Sequence, residues 1–70
     1  MTKNELKKIR ANLTKVDIID LALQFQMHEY SIRNILHGNR NNINVIEAAI
    51  AKAMKNKKRN QKIIAKANAL

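Results

Sequence analysis

Apolar side chains recur along this chain in separate helical stripes. Leu6, Ile9 and Leu13 fall three and four residues apart and mark a first helix, over about 3–12. Ile18, Leu21, Ala22 and Phe25 mark a second, over about 15–25. Ile32, Ile35 and Leu36 mark a third, over about 29–37, and Ile46, Ala49, Ile50, Ala53 and Met54 share one face of a fourth. The second and third stripes are out of phase. One straight helix would put Met27 and Ile32 on different sides from Phe25, so the spacing predicts a turn between Gln26 and Glu29. Two short helices joined by a tight turn, each giving side chains to a shared core, form a helix-turn-helix. Ala22 stands where the two helices cross, because a larger side chain would push the second helix away.

Polar residues punctuate these stripes. Thr2-x-x-Glu5, Thr14-x-x-Asp17 and Asn44-x-x-Glu47 are capping patterns that open helices one, two and four. His28 precedes helix three and is expected to cap it weakly. Gly38, the only glycine, follows helix three where a left-handed residue belongs. Gly38 to Asn42, GNRNN, is the one plainly polar loop. After Met54 the run NKKRNQK contains no Gly or Pro, so helix four is free to continue into IIAKANAL, where Ile63, Ala67 and Leu70 recur at helical spacing. The expectation is an all-α bundle of four to five helices containing a helix-turn-helix. A domain over 1–55 carries the motif, and 56–70 forms a basic helical extension. A dimer contact is the first use expected of that extension, packing on the bundle the second, and ordering on nucleic acid the third.

Composition narrows the class. Seventy residues form one domain, with no Cys for a disulfide or a thiolate metal site. The start MTKNELKKI has no apolar stretch of the kind a signal peptide needs, and no apolar run is long enough to span a membrane. A cytoplasmic location follows as the expectation. The net charge of +9 calls for a polyanionic partner, nucleic acid first and an anionic membrane surface second. Its distribution is uneven. Residues 1–15 carry +4, residues 16–51 carry −2, and residues 52–70 carry +7 with no acid at all. The helix-turn-helix is not itself basic, so attraction to phosphate must come mostly from the two ends.

The stretch Leu21 to Leu36, LALQFQMHEYSIRNIL, resembles the lambda-repressor-like helix-turn-helix superfamily, and within it the headpieces of lactose-repressor-type regulators. The likeness continues through Gly38 to Met54, GNRNNINVIEAAIAKAM, and spans roughly Val16 to Met54. In that family the position held here by Gln26 is usually Gly, and holding Gln26 left-handed would cost about 1 kcal/mol. His28 likewise stands where the family usually has Ser or Thr. The Pro-containing lead-in to a hinge helix is absent, so no hinge is carried over. The resemblance implies double-stranded DNA as the partner, bound by a homodimer or at tandem sites, with helix three in the major groove.

On that reading the base-reading candidates are Glu29, Tyr30, Ser31, Arg33, Asn34 and His37, the outward residues of helix three. Arg33 can give two hydrogen bonds to guanine, Asn34 can pair with adenine, and Glu29 can accept from cytosine. Tyr30 combines a hydroxyl with apolar contact to a thymine methyl. By resemblance Glu29, Tyr30, Arg33 and Asn34 fall on or beside the family's base-reading positions. The phosphate-contact candidates are Thr14 and Lys15 at the start of helix two, Asn39, Arg40 and Asn41 in the loop, and Lys57, Lys58 and Arg59 in the basic run. The plain alternative for each set is a solvated polar face. Catalysis is not expected, since there is no Gly-rich phosphate loop and no inward pair of carboxylates. No metal and no cofactor are expected, because His28 and His37 stand on opposite sides of a helix without other ligands. The rival reading is a helical interaction module, antitoxin-like or a scaffold, that binds an acidic protein. A third makes the basic tail a membrane-surface helix, which its lack of Trp and Phe argues against.

Overall fold

A computed structural model describes all residues from Met1 to Leu70. It contains four helices and no strand: α1 (Lys3–Ala11), α2 (Lys15–Gln24), α3 (Glu29–Leu36) and α4 (Ile43–Asn68). Local chemistry explains the first two starts. Thr2 and Glu5 form a capping box on α1, and Thr14 and Asp17 form another on α2. In each, the threonine hydroxyl accepts the N–H three residues on while the acid accepts the cap's own N–H, so two donors without helical partners are satisfied.

The α2 and α3 helices are separated by the four residues Phe25 to His28. The turn is closed as a Schellman motif, with the Met27 N–H donating to Ala22 O at 2.9 Å and the Gln26 N–H to Leu23 O at 3.3 Å. Gln26 is left-handed, with φ of 52°. The chain therefore carries the steric cost that glycine would relieve. The end of α3 uses the same motif with the expected residue: Gly38 has φ of 83°, and the Asn39 N–H reaches Asn34 O at 2.9 Å. A Cβ on Gly38 would stand 3.2 Å from Leu6 Cδ1, so space as well as torsion favours glycine there.

Twelve apolar residues form the core. Leu21, Ile32, Ile35, Leu36 and Val45 are the largest that are wholly buried. Each such side chain contributes about 1.5–3 kcal/mol by leaving water. Ala22, Ala49 and Ala53 are buried where α2 and α4 approach their neighbours. Leu13, Phe25, Met27 and Ile50 pack around the edge.

Three expectations need correction. Helix four is capped by Asn42, whose Oδ1 accepts the Val45 N–H at 3.3 Å, and not by Asn44 with Glu47. The earlier start adds Ile43 and Asn44 to the helix ahead of the buried Val45 and Ile46. Met54 is 58% exposed and lies outside the core, because the buried seam runs through Ile46, Ala49 and Ala53, and Met54 is one position further round the helix. His28 is an effective cap, with its Nδ1 accepting the Tyr30 N–H at 3.1 Å. An imidazole can do this because an unprotonated ring nitrogen is an acceptor, as a hydroxyl oxygen is.

The α4 helix runs unbroken through the basic segment to Asn68, about 39 Å at the standard rise. The molecule is accordingly elongated, 44 by 25 by 16 Å. Every residue from 57 to 70 is exposed, so this extension does not pack on the bundle. Its attachment lies one residue past the expected boundary. Asn56 is half-buried, and its amide nitrogen donates to Asn12 O and to Asp17 Oδ2, each at 2.8 Å.

Candidate nucleic-acid interface

The α3 helix turns Ile32, Ile35 and Leu36 into the core, which leaves its other side to solvent. Tyr30 is 69% exposed, and Arg33 and His37 are exposed with it. Asn34 is half-buried between them in sequence, four residues after Tyr30 and three before His37, so these four share one face. Glu29 and Ser31 are half-buried and mark its margins. Ser31 is engaged from the loop: the Arg40 guanidinium donates to its hydroxyl at 3.4 Å. The α3–α4 loop is thereby held beside the helix, with Asn39, Arg40 and Asn41 exposed next to it.

The start of α2 comes up against the end of α3. Arg10, Thr14, Lys15, Arg33 and His37 line one concavity of about 160 Å³, floored by Leu13, Ile18 and Leu36. Two sequence-predicted groups, Lys15 of α2 and Arg33 with His37 of α3, are thus brought together. The Lys15 and Val16 N–H groups, in the first turn of α2, have no acceptor within the helix, as at any helix start. The Thr14 hydroxyl is less available, since it accepts from Asp17 N at 3.2 Å and donates to Asp17 Oδ2 at 3.0 Å.

Arg10 is the member of this concavity that sequence reasoning missed. It is half-buried, and its guanidinium donates to Leu36 O at 2.7 Å. A cation there satisfies one of the last carbonyls of α3 and complements the negative end of its dipole. Arg10 is placed in α1 like any solvated base, and only its partner 26 residues away reveals the role.

Asp17 places a carboxylate in the first turn of α2, where the positive end of the helix dipole favours negative charge. Burial alone would raise its pKa. The Thr14 N–H, the Asn56 amide, the Thr14 hydroxyl and the charge of Lys52 outweigh that and hold the group below its ordinary value of 3.8. Glu5 is likewise lowered, chiefly by the hydrogen bond from the Thr2 hydroxyl.

The basic run is divided by the helix that carries it. Lys55, Lys58, Arg59, Lys62 and Lys66 line one open side of α4 together with Ile63. Lys57 stands elsewhere, in a groove with Lys8, Ile9, Asn12, Ala53 and Met54. Of the three expected phosphate contacts in this run, Lys58 and Arg59 share a face and Lys57 does not. The helical period that separates them also recruits Lys55, Lys62 and Lys66, which the sequence reading left out. No group of His, Cys, Asp and Glu side chains is arranged to hold a metal ion, and no helix is long and apolar enough to cross a membrane.

No family model, curated protein or solved structure matches this chain.

Proposed function

We propose that this chain is a sequence-specific double-stranded DNA-binding protein, a regulator of transcription acting in the cytoplasm of a bacterium or in the service of a phage. Its α3 helix enters the major groove. The observation that carries the reading is the grouping of Tyr30, Arg33, Asn34 and His37 on the solvent side of a helix whose other side is core, next to the cationic concavity of Arg10, Lys15 and Arg33. Arg33 reads guanine and Asn34 reads adenine, each as a two-bonded pair. Lys15, the free N–H groups of α2 and the loop residues Asn39, Arg40 and Asn41 take phosphates on either side and fix the register. The basic face of α4 adds attraction independent of sequence. One copy offers few contacts, so binding is by two copies, with half-sites about 34 Å apart.

Selection of duplexes from a random pool, repeated across salt concentrations, tests this reading. The expected result is a short enriched motif, repeated once with fixed spacing. A pool that stays random while the protein binds it would leave only electrostatic attraction and end the reading.

A further inference from the structure

Two apolar surfaces of this chain remain uncovered. The first is the outer side of α2, opposite its core side. Val16 and Leu23 there are 63% and 73% exposed, and Ile19, at 37%, lines with Leu23 and Met27 a groove that ends at Glu29. The second is the far end of α4, where Ile63 and Ile64 are 54% and 59% exposed and Leu70 is free. These follow Asn56 and Asn60 at alternating spacings of three and four, so they continue the seam that α4 buries in its own bundle.

The two surfaces cannot meet within one molecule. Asn56 contacts Asp17 while Lys52 stands 3.8 Å from Asp20, so α4 runs antiparallel to α2. The helical part of the extension, residues 57–68, therefore projects about 18 Å beyond the level of Asp17, away from the α2 groove. Nothing within residues 1–70 covers either surface. Pairing one extension with another would bring together two segments, each with five cations between 57 and 70 and no acid. The α2 groove has the opposite character. It belongs to the stretch 16–51, of net charge −2; Glu29 lines it, and Asp20, three residues before Leu23 on the same helix and half-exposed beside Lys52, stands next to it.

We propose that two copies of this chain exchange their extensions, each laying Ile63 and Ile64 in the other's Ile19–Leu23–Met27 groove. Lys62 and Lys66 then approach Asp20 and Glu29 of the receiving copy. A stable interface needs about 1,000 Å² of buried surface, which one helix end on one short groove does not supply. A two-fold arrangement forms the contact twice, as isologous pairing requires. The assembly needs no DNA, so it stands or falls separately from the reading of α3.

Sedimentation of the full chain without DNA, at low and high salt, tests the exchange. The expected species is a dimer that loosens as salt rises. Leu23→Lys and Ile63→Glu alter exposed positions, and each is expected to weaken association at least tenfold while circular dichroism stays unchanged. Mixed together, the two variants recover the dimer, because one native contact survives and the other brings Glu against Lys. Tail-to-tail pairing predicts instead that Leu23→Lys dimerises as the unaltered chain does and that mixing rescues nothing. Either of those results, or a chain that stays monomeric at millimolar concentration, overturns the proposal.

Discussion

Asn56 and Asp17 lie 39 residues apart in the chain and 2.8 Å apart in space. The same amide nitrogen of Asn56 reaches Asn12 O. One side chain of α4 thus ties down both the end of α1 and the cap of α2, and it fixes the direction in which the long helix leaves the bundle. Asn56→Ala should lower stability by about 1–2 kcal/mol, within the range for hydrogen bonds to a charged acceptor at a partly exposed site. Denaturant unfolding of the two proteins checks it.

That tie gives stability a pH dependence. The carboxyl of Asp17 is held below its ordinary value of 3.8 in the fold, so the unfolded chain takes up the proton first as pH falls. Its contribution is complete above about pH 5 and is lost progressively as pH falls through 3.8 toward the lower folded value. Unfolding followed from pH 7 to pH 3 should show this loss, and Asp17→Asn should make the curve flatter over the same range. An unchanged slope in that variant would show that Asp17 is not held down in the fold.

The left-handed residue of the α2–α3 turn gives a stabilising substitution. Gln26→Gly removes steric cost at φ of 52° and gives back part of the gain as unfolded-state entropy. A net gain of about 0.5–1 kcal/mol is expected. Gly38→Ala should have the opposite effect by more than 1 kcal/mol or so, because its φ is 83° and its Cβ would crowd Leu6. Thermal melts of the two variants should therefore move in opposite directions.

His28 caps the proposed reading helix through a single acceptor nitrogen. His28→Ala should cost about 1 kcal/mol, and His28→Asn should restore it. Hydrogen exchange at the Tyr30 and Ser31 amides locates the effect: the first variant should exchange faster there, the second should not.

Much of this fold is legible in the sequence because it is specified locally. Thr2 with Glu5, Thr14 with Asp17, and Gly38 after Leu36 each act within a few residues, and the phase slip between Phe25 and Ile32 places the turn. Asn42 shows where local reading fails. In NNIN more than one asparagine could serve as the cap; the spacing to Glu47 points to Asn44, and the fold uses Asn42. The candidate interface was less accessible still. Arg10 and Asn56 look like members of a solvated basic face until partners 26, 39 and 44 residues away give them fixed roles. Adjacency in the sequence groups Lys57 with Lys58 and Arg59, and helical geometry separates them.

Charge on α4 gives a further prediction once a bound duplex is in hand. Lys58→Gln with Arg59→Gln should weaken binding to every sequence alike and reduce the slope of affinity against salt by about 2. Lys57→Gln, on another side of the helix, should change that slope less.

Arg33 bears the central claim. Its affinity contribution should be measured as Arg33→Ala against the unaltered chain, on a selected duplex and on a random one at the same salt. The account predicts a loss of about 1–3 kcal/mol on the selected duplex and a much smaller loss on the random one. Equal losses on both would mean that α3 holds phosphate and reads no bases.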